Sequence, residues 1–256
     1  MSATSTNKPL LEGRRVMVTG AGAGIGREVA ARAAQAGADI IAFSLEGDLE
    51  ALGRDVRGLG RRYVSHIGDV TKSDDVAAIV ALAERELGGV DVLVNSAGIA
   101  IIEPALETKL ASWRKTLDVN LTGSFMCAQA VAPGMIARKF GRIINISSQA
   151  GLIALPGHVA YMASKAGING ITQVLALEWG PYGITTNAVA PTVVNTELGK
   201  AVWSDPAKGD PMRARIPVGR FAEPSEVAAA VLYLASDDAA MVNGLVLRID
   251  GGATVH

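Results

Sequence analysis

The chain has 256 residues, 49% of them apolar and 19% charged, with 24 Lys and Arg against 25 Asp and Glu, one cysteine and 29 glycines. Apolar content this high with charge this low excludes a disordered chain, which lacks the surface to offset the entropy of ordering. Balanced charge, with no basic run longer than Arg14-Arg15 or Arg61-Arg62, argues against a nucleic-acid or anionic-membrane partner.

Met1 to Leu11 is Ser/Thr-rich without an apolar run and reads as a flexible tail, leaving residues 12–256 as one domain. No stretch reaches the roughly 18 apolar residues of a membrane span. The lone Cys127 cannot form an internal disulfide, and no Cys/His cluster has metal-ligand spacing. The protein therefore reads as metal-free and cytoplasmic, with Cys127 a small core residue.

Short β-branched runs alternate with Ala/Leu-rich helical stretches. Strands are expected near Arg15–Thr19, Asp39–Ser44, Arg62–Ile67, Asp91–Asn95, Arg142–Ser147, Thr185–Ala190 and Leu245–Asp250. Helices are expected near Gly24–Ala36, Leu49–Leu59, Ser73–Leu87, Leu110–Ala137, Ala160–Trp179 and Pro224–Ala235, the last starting around Ser225. Such alternation predicts an α/β fold, a parallel sheet with helices on both faces. Thr192 to Phe221, with Pro206, Pro211 and Pro217, breaks the rhythm and is expected to be an irregular loop over the site. The ending Gly252 to His256 suggests a buried C-terminus.

Between the first strand and first helix stands Thr19-Gly20-Ala21-Gly22-Ala23-Gly24-Ile25-Gly26. In that position backbone N–H groups and the helix dipole meet a pyrophosphate, and glycines allow close approach. An ordinary glycine-rich turn is the alternative. Further on, Tyr161 and Lys165 are four apart in a helical stretch and share a face. A neighbouring ammonium lowers the phenol's ordinary pKa of about 10. Ser148 stands thirteen residues before the tyrosine, where the fifth strand ends.

Together with Asn95-x-Ala97-Gly98, Asn120 and Asp250-Gly251-Gly252, these motifs resemble the short-chain dehydrogenase/reductase family, in its order and spacing, from about Leu11 to Gly252. The resemblance implies a Rossmann-type, doubly wound seven-stranded sheet in one domain. It implies an NAD(P)-dependent oxidoreductase interconverting a secondary alcohol and a ketone. Tyr161 would be the general acid/base, Lys165 would tune it and hold the nicotinamide ribose, and Ser148 would hydrogen-bond the substrate oxygen. Asn120 would support a water relay; a buried amide bonding backbone is the other reading. The cofactor would be held by Gly20, Gly24, Ile25, Gly26, Ser44, Asp69, Val70, Asn95, Ala97, Gly98, Tyr161, Lys165, Pro191, Val194 and Thr196. Asp69 could equally cap the helix from Ser73. Ser96 and Thr192 depart from the family's usual Asn and Gly.

The position expected to discriminate the ribose carries Ser44, followed by Leu45 and Glu46, and no cation stands at Ala23 or Leu45 to hold a 2′-phosphate. That tips the reading toward NAD over NADP. Substrate contacts are expected from Ser148, Gln149, His158, Tyr161, Val193 and Trp203. Several segments are similar to the family's sugar-alcohol dehydrogenases, such as those for threitol, galactitol or sorbitol, and a polyol is the expected substrate. The segments also resemble 3-oxoacyl-carrier-protein reductases, and a non-catalytic NAD(P)-binding regulator is the alternative from another class. By resemblance the chain would form a homotetramer through long-helix pairs.

Overall fold

A computed structural model describes residues 9–255. Strands β1 (Arg15–Thr19), β2 (Asp39–Ser44), β3 (Tyr63–Ile67), β4 (Val92–Asn95), β5 (Gly141–Ile146), β6 (Ile184–Pro191) and β7 (Val246–Ile249) form one sheet in the order β3-β2-β1-β4-β5-β6-β7. Every pairing is parallel. The bounds lie within one residue of those expected, because a strand buried on both faces leaves an uninterrupted apolar run.

Alternate side chains feed two cores. Val16, Val18, Ile40, Ala42, Val92, Val94 and Ile144 face helices α1 (Gly24–Gln35), α2 (Leu49–Gly58) and α9 (Pro224–Ala235). Met17, Ile41, Phe43, Leu93 and Ile143 face α3 (Ser73–Leu87), α5 (Gly123–Arg138) and α6 (Val159–Trp179). Cys127 lies in the second core at 0% exposure, and burial pushes its thiol up to about 12. Leu11, at the end of the stretch read as a tail, is packed into the first core; Met1 to Lys8 lie outside the described residues.

Two expectations change. The long helix near Leu110–Ala137 is two helices, α4 (Leu110–Leu117) and α5, joined by a wide turn over Asp118–Thr122 with i→i+5 geometry. Apolar periodicity does not register one extra residue in a turn, yet such bulges gather at functional sites. The segment Thr192–Phe221 is not irregular: it contains α7 (Glu197–Trp203) and α8 (Pro206–Ala214). Thr196 caps the first by accepting from Gly199 N at 3.1 Å, and Asp205 caps the second by accepting from Ala207 N at 2.9 Å. Pro206 opens α8 instead of breaking a helix, since its missing N–H is unpaired there anyway. The range of α9, Pro224–Ala235, is as expected, with Glu223 as its cap and Ser225 inside the first turn; the Glu226 carboxylate accepts from Glu223 N at 2.8 Å.

At the C-terminus, Asp250 accepts from the N–H groups of Gly252 and Thr254 and from the Thr254 hydroxyl. Ala253 and Thr254 are buried, but Val255 is exposed, so the expected burial reaches only as far as Thr254; His256 lies outside the described residues. Among the described residues no helix is long and apolar enough to cross a membrane, and no His/Cys/Asp/Glu group could hold a metal.

Candidate active site

The sheet order reverses between β1 and β4, where Thr19 pairs with Asn95, and parallel sheets bind ligands at such a point. The Thr19 hydroxyl accepts from the N–H groups of Ser96 and Ala97, both at 3.0 Å, and locks the two strand ends together. Gly20 has φ +68°, and a Cβ there would stand 3.0 Å from the Ala97 backbone. A Cβ at Gly26 would meet the Gly20 carbonyl at 2.3 Å, so the turn closes onto the start of α1 only without side chains. Gly24, φ +56°, faces the Thr196 methyl, which brings the entrance of α7 over the turn. Ala23 caps α1 with no side-chain bond, and its first turn holds no acid. The leading N–H groups of α1, those of half-buried Ile25 and buried Gly26 among them, are thus free of any competing side-chain anion, which fits a pyrophosphate.

Ser44 ends β2 against the glycine turn. Its hydroxyl donates to the Glu46 carbonyl at 2.7 Å and accepts from Gly22 N at 3.3 Å, so it braces the glycine turn and leaves Leu45 and Glu46 outermost. Arg27, the cation beyond the glycines, donates to the Asp48 carbonyl. Asp69 does not cap α3: it accepts from Thr71 N at 2.9 Å, and Lys72 holds the cap position without a side-chain bond. Val70 is buried against Gly123. Asn95 donates across the core to Asn145 Oδ1 and to the Ser124 carbonyl.

Beyond β5, Ser148 Oγ accepts from Ala150 N and lies near enough to the Tyr161 phenol to favour its ionised form. Lys165, one turn along α6, is buried with Nζ 5.7 Å from the Tyr161 ring centroid and donates to the Ile146 carbonyl at 2.7 Å. Gly98 closes the cluster: a Cβ there would sit 3.3 Å from Asn120 Oδ1 and 3.6 Å from Lys165 Nζ. Asn120, at 0% exposure in the wide turn, accepts from Ile99 N at 2.8 Å and donates to the Ile99 carbonyl and the Ser164 hydroxyl. Ser164 in turn donates to the Tyr161 carbonyl. The Asn120 side chain therefore does bond backbone, clamping the β4 exit to the start of α6.

The electrostatics differ from expectation. Burial raises the Tyr161 phenol above its ordinary value, and what opposes it is the nearby Ser148 hydroxyl, not the Lys165 charge. Burial also pushes the Lys165 ammonium down to about 8. Both shifts have one cause: a low-dielectric pocket disfavours either charge.

His158 lies at the mouth, buried, with Nδ1 donating to the Pro156 carbonyl at 2.7 Å. Its ring meets Tyr161 edge-on at 6.1 Å and stacks on Trp203 at 6.4 Å, which joins α7 to the reacting cluster. Backbone bridging from Glu103 holds this corner from the other side. Gln149 and Thr192 are buried, with Gln149 Oε1 and Thr192 Oγ1 unpaired among the described residues. Val193 packs with Met212, Ile216 and Phe221 under α7 and α8, in the cluster against which Trp203 also rests. Pro191 ends β6, and Val194 bridges to Ala222. Thr19 stood in the glycine motif with no role read for it, and the clamp Ser164 carried no sequence signal, because its partner lies 44 residues away in the chain.

The family described as enoyl-(acyl carrier protein) reductase matches residues 20–254. The chain is 46% identical over 246 residues to the D-threitol dehydrogenase of Mycolicibacterium smegmatis, covering 96% of this chain and 94% of that protein. The chain belongs to the short-chain dehydrogenase/reductase family. It is an NAD(P)-dependent oxidoreductase of CH–OH groups. It is also 43% identical to the NAD-dependent glycerol dehydrogenase of Listeria innocua, over 93% of each chain. Among solved structures, levodione reductase superposes with a TM-score of 0.90 at 30% identity, covering 96% of this chain and 99% of the other.

Proposed function

We propose that the protein oxidises a small polyol to its ketose and reduces it back, with NAD as the preferred cofactor and Tyr161 as general acid/base. The observation that carries this reading is the joining of Ser148, Tyr161 and Lys165 at the sheet's switch point, beside a glycine turn that leads into an uncapped helix. When bound, the nicotinamide exchanges a hydride with the substrate carbon. The chain's own residues manage the proton and the substrate oxygen. Tyr161 holds or receives the proton at its phenol oxygen, and Ser148 donates to the same oxygen of the substrate. Lys165 would hold a ribose hydroxyl of the bound dinucleotide. Asn120 fixes the geometry of α6 through Ser164 and supports the relay that returns the proton to solvent.

The polar wall of Ser148, Gln149, His158 and Thr192 favours a polyhydroxylated substrate over an acyl chain, as do relatives acting on threitol and glycerol. A preference for NAD is supported by Ala23 and Leu45, which offer no cation, by Arg27 being held on a carbonyl, and by the exposed acid Glu46. Exposed Val174 and Leu177 on α6 and Phe125 on α5 support a homotetramer through these helices.

A screen of three- to six-carbon polyols and their keto forms with both cofactors tests the reading. Turnover with NAD is expected at higher kcat/KM than with NADP, and the reverse ranking discards the cofactor preference. Tyr161→Phe is expected to lower kcat by at least about a hundredfold while dinucleotide affinity stays within about twofold. Near wild-type turnover in that variant discards the role of Tyr161.

A further inference from the structure

Three side chains of α6 stand at intervals of four, Tyr161, Lys165 and Asn169, and therefore on one face. The third has no part in the chemistry described above, yet it is bonded on both sides of Ser148. Asn169 Oδ1 accepts from the Ser147 hydroxyl at 2.7 Å, and Asn169 Nδ2 donates to the Gly151 carbonyl at 3.1 Å. Ser147 also reaches the Lys165 carbonyl at 3.3 Å. Ser148 opens a tight turn, its carbonyl accepting from Gly151 N at 2.9 Å and its hydroxyl from Ala150 N at 3.1 Å. Gly151 is pressed against α6, where a Cβ would lie 2.9 Å from the Lys165 carbonyl and 3.1 Å from Asn169 Nδ2. The residue before Ser148 and the residue that closes its turn are thus both tied to one amide, on the helix that carries Tyr161.

We infer that Asn169 is a positioning residue that holds the Ser148 hydroxyl in register with Tyr161. The inference rests on the roles proposed for Ser148 and Tyr161. An amide suits the task because it offers an acceptor to Ser147 and a donor to Gly151 at once. An aliphatic residue of the same size supplies neither. The nearby Ser148 hydroxyl is what offsets the effect of burial on the phenol. Loosening the turn weakens that offset, so the phenol ionises at higher pH.

The test compares Asn169→Leu, Ser147→Ala and the double variant with the wild type in the pH profile of kcat/KM for alcohol oxidation. Each single variant is expected to move the rising limb of the profile upward by about half to one pH unit and to lower kcat several-fold. Dinucleotide affinity is expected to stay within about twofold. The double variant is expected to be no worse than Asn169→Leu alone, because both changes break one linkage. Unmoved profiles, or losses that multiply in the double variant, overturn the inference. If Asn169→Leu does not fold, Ser147→Ala decides alone, since it removes one hydroxyl and leaves the amide. Tyr161→Phe measured alongside separates the two levels: retained turnover there discards the acid/base assignment, whereas lost turnover with unmoved profiles discards only the role of Asn169.

Discussion

Lys165 joins structure to function at the scale of one side chain. It is buried, it donates to the Ile146 carbonyl, and burial lowers its pKa to about 8. The unfolded chain keeps that proton up to a pH of about 10.4, whereas the folded chain releases it near 8. Between those values the unfolded state binds more protons, so stability rises with pH and the penalty carried at neutral pH is relieved. Lys165→Met removes the penalty. Its melting temperature relative to wild type is expected to be most favourable near pH 7 and to lose several degrees of that advantage by pH 9.5. The lost hydrogen bond adds only a constant offset, and calorimetry that finds the same difference at every pH contradicts the prediction. Tyr161 obeys the same physics with the opposite sign of charge, since burial keeps the phenol protonated. In this state it is ready to donate a proton to a ketone, and oxidation of an alcohol is favoured on the alkaline side.

Among the elements, helix ends decide more than helix interiors. The motif at the start of α1 could be read in the chain because glycine is the residue that tolerates both φ +68° at Gly20 and a carbonyl 2.3 Å from where the Cβ of residue 26 would be. The range of α9 was legible in the chain, but its cap was not. Ser225 is a common capping type, but Pro224 takes the first helical position, and the acids on either side close the cap. Glu226 is held down to about 2, first by its hydrogen bonds from Arg220 and then by the Glu223 N–H. A folded-state pKa below the unfolded one contributes stability above about pH 4.3 that is lost as pH falls toward 2. Glu226→Gln is expected to cost at most about 1 kcal/mol at pH 7, because the pair is exposed and screened, and nothing at pH 2. Urea titrations at the two pH values check this, and an equal cost at both counts against the cap. The wide turn between α4 and α5 and the two helices inside Thr192–Phe221 were not legible for a related reason. Their stability comes from what they pack on, Ile99 and Ser164 for the first and the Phe221 cluster for the second, not from an amphipathic repeat of their own.

Across the whole molecule, the outer faces of α5 and α6 leave Phe125, Val174 and Leu177 in contact with water, Leu177 at 80% exposure. If these helices pair between subunits, Leu177→Glu is expected to convert a tetramer to smaller species in sedimentation velocity while the fold is kept. An unchanged tetramer in that variant moves the interface elsewhere. By itself the sequence determined the parallel sheet, because β-branched runs buried on both faces carry their pattern in adjacent residues. It also determined the glycine turn before α1, because close approach at Gly20 and Gly26 excludes a side chain, and the pairing of Tyr161 with Lys165, because helical geometry places residues four apart on one face. Only the tertiary structure decided the strand order, the brace formed by Ser44, the clamp of Asn120 on Ile99 and Ser164, the tether of Asn169 around Ser148, and the stacking of His158 between Tyr161 and Trp203. Local conformational preference is written in neighbouring residues, whereas a hydrogen bond or stack between distant segments exists only once the core has set their separation.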